Sequence, residues 1–307
     1  MISINTDYSK ITCSTEHTKN ILKTISNHGF KCIHWVHQWN GTDYYSIPEM
    51  EQIKTWLKEF DLKVTGVHAS DGTISGKFDD RKMFVSPNEY NRRAGVELVK
   101  NRIDFASFID AGEIVLHVKM FHLLNSDLDY SSFANTYWKQ LFKSLDAIIA
   151  YGKKQNINIA IENLEYPNSS LQLEQFDRIF NRYNPDDLKF CFDLGHGMIS
   201  DFNNPFAFLK KYSERLINLH LNCGKENTSN TTDYKKILKN LDVHNIPNEK
   251  TIDINRLSQL ISNSPDEIPI TFEIAVSEAE ISNALTETLR IGKKIEQLVK
   301  KYRNENN

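Results

Sequence analysis

The sequence predicts an α/β protein: a single (β/α)8 barrel. Eight short apolar runs alternate with eight stretches of helical periodicity, which is the order of parallel β/α units. The 307 residues suit one such barrel, which takes about 250 residues or more. The alternative is a doubly wound open sheet, but that fold usually carries a glycine-rich turn after its first strand. Residues 6–12, TDYSKIT, contain no glycine and favour the barrel.

The predicted elements alternate along the whole chain. The strands cover residues 2–4, 31–36, 63–67, 113–116, 157–161, 190–192, 216–219 and 270–272. The helices cover residues 17–28, 48–60, 88–110, 130–155, 173–184, 205–213, 253–262 and 278–302. Pro48 suits the first turn of the second helix, and Gly29 suits the end of the first. These periodicities, and not a single motif, carry the fold prediction.

Residues 1–307 show no linker and no break in composition, so we expect one domain. Residues 222–240, rich in Asn, Thr, Ser and Lys, are predicted to form a polar insertion after the seventh strand. In a barrel this insertion would lie on the rim of the active site, as a lid or a contact loop. The polar tail 303–307 is predicted to be frayed.

Composition excludes several classes of function. The chain has 37 basic and 40 acidic residues, a net charge of −3, so a general polyanion binder is not expected. The amino terminus lacks the pattern of a signal peptide, and no apolar run is long enough to span a bilayer. The four cysteines have no CxxC spacing, and Cys32 and Cys191 lie in apolar runs, which favours buried free thiols. Together these features indicate a cytoplasmic protein.

The stretch 188–200, LKFCFDLGHGMIS, shows how the predicted strands end. The apolar run Phe190-Cys191-Phe192 reads as a buried strand, and Asp193 and His196 follow it at once. Gly195 and Gly197 are expected to allow a tight turn there. In parallel α/β proteins active sites lie at the carboxyl ends of strands, so this Asp and His are candidate functional residues.

An imidazole or a carboxylate marks the end of six predicted strands. Carboxylates gathered in one partly dry barrel mouth repel each other, and a divalent cation removes that repulsion. A mixed oxygen and nitrogen set suits Mn²⁺, Co²⁺, Zn²⁺ or Mg²⁺. The six residues are His68, His117, Glu162, Asp193, His220 and Glu273.

Seven motifs, six of which contain one of these residues, resemble the xylose isomerase-like barrel superfamily, which includes sugar and sugar-phosphate isomerases and epimerases as well as endonuclease IV. They run from the third predicted strand to the eighth, so the resemblance covers most of the chain. It is specific for the superfamily and much less so for one activity. The motifs are VHAS at 67–70, VLHV at 115–118, IENL at 161–164, FDLGH at 192–196, LHLN at 219–222, DVH at 242–244 and FEI at 272–274.

The resemblance assigns roles residue by residue. It implies a core metal ion bound by Glu162, Asp193, His220 and Glu273. His196 is implied as a substrate contact in the isomerases and as a metal ligand in the nuclease. The nuclease uses three metal ions, and its further ligands would fall on His68, His117, Asp242 and His244.

The activity implied is that of a metal-dependent isomerase or epimerase acting on a sugar, a sugar phosphate or a polyol-derived ketone. One Mn, Co, Zn or Mg ion would polarise a carbonyl group. Glu162 and Glu273 would then move the proton as base and acid through an enediolate, while His196 contacts the substrate oxygens. The alternative is an endonuclease IV-like phosphodiesterase with three zinc ions that acts on abasic DNA, which the negative net charge disfavours.

The expected partner is a small carbohydrate, without nucleic acid or membrane. Trp35 and Trp39, at the end of the second strand, could pack on the apolar face of a sugar. Lys225, after the seventh strand, could meet a phosphate or a carboxylate. His68 and His117 complete the candidate substrate contacts. A rim rich in aromatic residues favours a homodimer that closes over the site.

Overall fold

The computed structural model describes residues 1–8, 15–36, 44–69, 83–119, 130–265 and 267–306. Within them, eight parallel strands close into a barrel in chain order, and β8 pairs with β1. This confirms the predicted (β/α)8 fold, and each observed strand end lies within two residues of the predicted one. The strands are β1 (Ile2–Asn5), β2 (Cys32–Trp35), β3 (Lys63–His68), β4 (Glu113–His117), β5 (Asn158–Glu162), β6 (Lys189–Asp193), β7 (Leu216–Leu221) and β8 (Ile270–Phe272).

The helices of the described residues connect the strands and cover the barrel. Helix α2 shows a typical start, because Ser46 and Glu49 form a reciprocal capping box and Pro48 occupies the first turn. None of the described helices is long and apolar enough to cross a membrane. The helices are α1 (Thr15–Asn27), α2 (Ile47–Glu59), α3 (Glu89–Phe108), α4 (Tyr130–Gln155), α5 (Ser169–Phe180), α6 (Leu194–Ser200), α7 (Ala207–Tyr212), α8 (Tyr234–Asn240), α9 (Ile254–Ser262) and α10 (Ile281–Asn306).

The main core lies between the barrel and its helices. In β6, Phe190 packs outward with its ring centroid 5.9 Å from that of Phe176 in α5. Burial of one such aromatic side chain stabilises the fold by about 1.5–3 kcal/mol. Because successive strand residues face opposite sides, Cys191 and Asp193 face the barrel axis. Alternation therefore decides which residues can reach the barrel mouth.

The structure corrects the tight turn predicted at 194–197. These residues begin helix α6, because Asp193 caps it and its Oδ1 accepts the His196 N–H at 2.7 Å. The two glycines serve close packing instead. A Cβ on Gly195 would lie 1.7 Å from Asn222 Oδ1, and one on Gly197 would lie 2.4 Å from the Pro205 carbonyl oxygen.

Three other predictions differ in detail. The polar segment 222–240 follows β7 but ends as helix α8, and its start is held where the Cys223 N–H donates to the Asn245 carbonyl at 2.9 Å. Helix α5 begins at Ser169, because Asn168 caps it. The tail predicted to fray continues as α10 to Asn306, and Arg303 donates to the Ser264 carbonyl at 3.3 Å.

The cysteines of the described residues are buried and free, as predicted for Cys32 and Cys191. Cys223, the third described cysteine, is buried as well. Cys13 lies outside the described residues.

Candidate metal centre

Four side chains at the ends of β5 to β8 meet in the barrel mouth: Glu162, Asp193, His220 and Glu273. Each offers one ligand atom, and these four atoms lie within 4.8 Å of one another. Nδ1 of His220 lies 3.0 Å from Glu162 Oε1 and 3.1 Å from Glu273 Oε2. All four side chains are buried. These are the four residues that the resemblance implied as core ligands, and the structure brings them together.

Three carboxylates in one buried space repel each other. Burial raises the pKa of Asp193 to about 7; His196 opposes this shift, and Glu162 and Glu273 add to it. Burial alone would lower the pKa of His220, but Cys191, Glu162 and Glu273 raise it well above its ordinary value. The carboxylates thus favour a positive charge on His220, and a divalent cation would supply such a charge. The set fits a divalent cation.

Two further imidazoles lie on the other oxygen of Glu162. Nε2 of His117 is 3.0 Å from Glu162 Oε2, and Nε2 of His68 is 3.4 Å from the same atom. The ligand atoms of these three residues also lie within 4.8 Å of one another. Glu162 therefore joins two groups of ligands, one through each carboxylate oxygen.

A third group lies beside the first: His196, Asp242 and His244. Nδ1 of His196 is 2.8 Å from the Asn163 carbonyl oxygen, and Nδ1 of His244 is 2.9 Å from the Glu273 carbonyl oxygen. A carbonyl oxygen only accepts, so both Nδ1 atoms carry the proton, and in the neutral rings Nε2 presents a lone pair.

Both of these lone pairs face Asp242. Oδ1 of Asp242 lies 3.1 Å from His244 Nε2 and 3.6 Å from His196 Nε2. This oxygen is buried and has no hydrogen-bond partner among the described residues. Asp242 Oδ1 and the Nε2 atoms of two neutral rings would all be hydrogen-bond acceptors. They can lie this close together only if a ring is protonated or if a cation lies between them. In metal-binding histidines, the ring nitrogen that does not bind the metal usually donates to a carbonyl or carboxylate oxygen. His196 and His244 show this arrangement, so this group also fits a divalent cation.

Side-chain amides fix Asp193 and its neighbours. Asn163 accepts the Asp193 N–H at 2.9 Å and donates to its carbonyl at 2.8 Å, as a neighbouring strand would. Asn222 donates to Asp193 Oδ2 at 2.7 Å. These amides leave the carboxylate little rotational freedom.

One of the predicted substrate contacts lies away from this centre. Trp35 is wrong as a sugar contact, because alternation places it on the outer face of β2. There it is fully buried, its Nε1 donates to Tyr45 Oη at 2.8 Å, and its ring lies 5.6 Å from Phe105. Lys225 is exposed in the segment after β7, and its role stays a prediction. Trp39 lies outside the described residues.

Two carboxylates of the mouth were not predicted from the sequence. Glu165 is buried, and its Oε2 lies 3.6 Å from His196 Nε2. Asp7 follows β1, and its pKa is raised by burial and by Glu273, while His244 and His68 lower it. Glu165 lies three positions after Glu162 in IENLE, and this closeness to a strand-end carboxylate could have identified it. Asp7 had the same signal as the other ligands, a carboxylate just after a strand.

Known proteins share the barrel fold of this chain. The family model of xylose isomerase-like TIM barrels matches residues 22–295. The chain is 27% identical over 284 residues to y4fM of Sinorhizobium fredii, which is described as uncharacterized, and the match covers 88% of this chain and 85% of that one.

Solved structures show the same barrel. A D-tagatose 3-epimerase-like protein superposes with a TM-score of 0.69 at 18% identity, over 98% of each chain. The 3-keto-D-glucoside 4-epimerase YcjR of E. coli gives 0.65 at 14% identity, over 96% of this chain and 100% of that one. Since the family model spans the barrel from α1 to α10 and the ligand motifs lie in order on its strands, the chain belongs to the xylose isomerase-like TIM barrel family.

Proposed function

We propose that the protein is a divalent-metal-dependent isomerase or epimerase of a sugar, a sugar phosphate or a polyol-derived ketone. The observation that carries the proposal is the pair Glu162 and Glu273, whose carboxylate oxygens lie about 3 Å from the same His220 nitrogen. The two glutamates come from β5 and from the end of β8, so they reach this point from different strands of the barrel. The sugar epimerases among the similar structures support a carbohydrate substrate.

The core ligands Glu162, Asp193, His220 and Glu273 would hold the cation. When bound, it would act as a Lewis acid on a substrate carbonyl oxygen. Glu162 and Glu273 would accept and return the proton at the adjacent carbon, as two carboxylates that reach the same point from different strands. His196, whose Nδ1 is fixed by the Asn163 carbonyl, would present Nε2 to substrate oxygens.

Deuterium incorporation tests this proposal directly. The protein loaded with Mn²⁺ or Co²⁺ is incubated in D₂O with ketoses, inososes and their phosphates, and proton loss at the carbon beside the carbonyl is followed by NMR. Glu162→Gln and Glu273→Gln should slow exchange by about 100–10,000-fold, the usual range for a lost general acid or base. The exposed Glu214→Gln serves as the matched control and should exchange at the parental rate. Parental exchange in both active-site variants would contradict the proposal.

A second candidate function is a multinuclear phosphodiesterase, the alternative expected from the sequence. The specific observation in its favour is that two further ligand groups flank the first, His68–His117–Glu162 and His196–Asp242–His244. Three cations would supply the charge needed to bind a phosphodiester and activate water for in-line attack. The abasic-DNA substrate rests on the resemblance alone.

Metal stoichiometry separates the two candidates. Mass spectrometry of protein purified without added metal or chelator should give about one metal ion per chain for the isomerase and about three for the phosphodiesterase. His244→Ala should then lower the count by one only in the second case. Cleavage of an abasic duplex, with an intact duplex as the control, decides whether a three-metal protein is a nuclease. The cytoplasmic location and the homodimer stay predictions.

A further inference from the structure

The barrel interior directly beneath the metal centre is polar on one side, whereas such barrels usually fill it with branched apolar residues. Because side chains alternate along a strand, the residue two positions before a ligand faces the same interior one layer deeper. Gly66, Asn218 and Thr271 stand two positions before His68, His220 and Glu273. Buried side chains from β2 and β4 join them. We call this set the floor cluster: His34, Gly66, Glu113, Asn218 and Thr271.

Asn218 organises the floor cluster. Its Oδ1 accepts from the Leu219 N–H at 2.8 Å and from Thr271 Oγ1 at 3.0 Å. The backbone donor fixes which end of the amide is oxygen, so Nδ2 faces the other way. Nδ2 donates to Glu113 Oε1 at 2.5 Å and lies 3.5 Å from His34 Nδ1. His34 Nδ1 is therefore an acceptor, and the His34 ring is held from β7.

His34 in turn packs on a metal-centre residue. Its ring meets that of His220 edge to face, with centroids 4.7 Å apart and planes 69° apart. Nδ1 of His220 faces Glu162 and Glu273, so Nε2 is its other nitrogen. Nε2 of His220 is buried and has no hydrogen-bond partner among the described residues. Glu162 and Glu273 contact the ring at Nδ1, the Cys191 thiol also interacts with it, and His34 packs against it, so the packing of His34 helps to fix the orientation of the ring.

Gly66 gives the floor cluster its space. A Cβ at this position would lie 2.8 Å from Glu113 Oε1 and 3.0 Å from His34 Cε1. Any larger residue at this position of β3 would crowd the imidazole of His34 and the carboxyl group of Glu113. The pairing of β2 with β3 also shifts register between Ile33 and His34, beside this point.

We propose that His34 is a positioning residue that fixes the ring of His220 for cation binding, and that Asn218 holds His34 in turn. The proposal rests on cation binding at the four-ligand group, which both candidate functions share. Metal-binding imidazoles generally depend on the groups that orient them, and loss of such a group weakens metal affinity by about 10–100-fold.

The test compares the parent with His34→Ala and His34→Phe. Dissociation constants for Co²⁺ and Mn²⁺ are measured by competition with a chromophoric chelator, and the visible spectrum of the Co²⁺ form reports ligand geometry. His34→Ala should bind about 10–100-fold more weakly and give an altered spectrum. His34→Phe keeps an aromatic ring against His220 and should restore most of the affinity. Adding Asn218→Ala to His34→Ala should weaken binding little further, because both changes break one chain of contacts.

Ser3→Ala is the matched control, because it removes a hydrogen bond from the same barrel interior. Ser3 Oγ lies 3.1 Å from Thr65 Oγ1, and neither residue belongs to the floor cluster. It should leave the Co²⁺ affinity and spectrum unchanged. Circular dichroism confirms that each variant is folded before binding is compared.

Three outcomes would overturn the proposal. A folded His34→Ala with parental affinity and spectrum would overturn it while leaving the proposed function intact. An equal loss of Co²⁺ affinity in Ser3→Ala and His34→Ala would show a general effect of barrel stability and not a positioning role of His34. A parent that takes up no cation at all would overturn the proposed function together with this inference.

Discussion

At the scale of one residue, Gly195 supports the candidate metal centre because it has no Cβ. A Cβ there would lie 1.7 Å from Asn222 Oδ1, and the other end of that amide holds Asp193 Oδ2 at 2.7 Å. We expect Gly195→Ala to displace Asn222 from Asp193 and to lower the free energy of unfolding by about 1–3 kcal/mol. Urea unfolding measures the stability, and chelator competition measures cation affinity, which should fall as well.

Gly112→Ala is the control for this prediction. Gly112 is exposed, and the nearest atom to its added Cβ would be the Thr65 carbonyl oxygen at 4.0 Å. Its stability should stay within about 0.5 kcal/mol of the parent. A Gly195→Ala protein as stable as this control would show that the loop after β7 moves freely.

Glu113 should make stability depend on pH. Burial raises its pKa to about 8, while Asn218 and His220 lower it. Between the ordinary carboxyl value of 4.5 and about 8, the native state keeps a proton that the unfolded chain has lost. The stabilising contribution is therefore complete at low pH and is lost as the pH rises through this window. The free energy of unfolding of Glu113→Gln should fall less steeply with pH than that of the parent, as measured by urea unfolding at several pH values.

At this scale the sequence predicted residues whose position follows from strand alternation. Glu162, Asp193, His220 and Glu273 end strands, so their meeting followed from the barrel. Trp35 ends a strand too, but one step of the alternation turns it outward. His34 was missed because nothing in the sequence alone shows that Asn218 would reach across the barrel to it.

At the scale of elements, side-chain amides continue the hydrogen-bond pattern where strands end. Asn163 bonds both backbone groups of Asp193, and Asn5 bonds both of Ile274 in the same way, at 3.0 and 3.1 Å. We expect Asn163→Ala to cost about 1–3 kcal/mol of stability through the lost buried bonds. It should also weaken cation binding, because Asp193 loses its backbone support. Unfolding and metal titrations on the same preparation measure both effects.

Asn101 offers the matched control, since it makes the same pair of bonds to Tyr45 away from the metal centre. Its Oδ1 accepts the Tyr45 N–H at 2.7 Å, and its Nδ2 donates to the Tyr45 carbonyl at 2.9 Å. Asn101→Ala should lose comparable stability and keep parental metal affinity. Equal loss of affinity in both variants would count against a local role for Asn163.

Helix α6 marks the limit of sequence prediction for elements. The strands followed from apolar runs, but 194–200 holds two glycines, which disfavour a helix by propensity. The Asp193 cap and tight packing against Asn222 and Pro205 outweigh that propensity. Such contacts lie far apart in the chain, so local pattern cannot reveal them.

At the scale of the whole molecule, cation binding should stabilise the fold. An ion that binds only the native state at 100 times its dissociation constant contributes about 2.7 kcal/mol. The melting temperature should therefore rise with added Mn²⁺ or Zn²⁺ and return on chelation. In Glu162→Gln the rise should be smaller, because this residue belongs to two ligand groups. Scanning calorimetry with and without chelator measures this.

The control is a melt in Ca²⁺ at the same ionic strength, since Ca²⁺ prefers six to eight oxygen ligands and the four-ligand group offers three carboxylates and an imidazole. An equal rise of the melting temperature in Ca²⁺ would indicate a nonspecific charge effect.

The barrel itself was predictable, because eight alternating units leave few architectures. The groups that orient the ligands were not, because they depend on register across the barrel.

The pairing of β1 with β8 has a consequence for synthesis on the ribosome. β1 emerges first, but Ile2 meets its partner Ile270 only after nearly the whole polypeptide has been translated. Glu273 follows β8 directly, so a nascent chain lacks the complete four-ligand group until the barrel can also close. A chain that ends before Glu273 therefore carries only part of the four-ligand group.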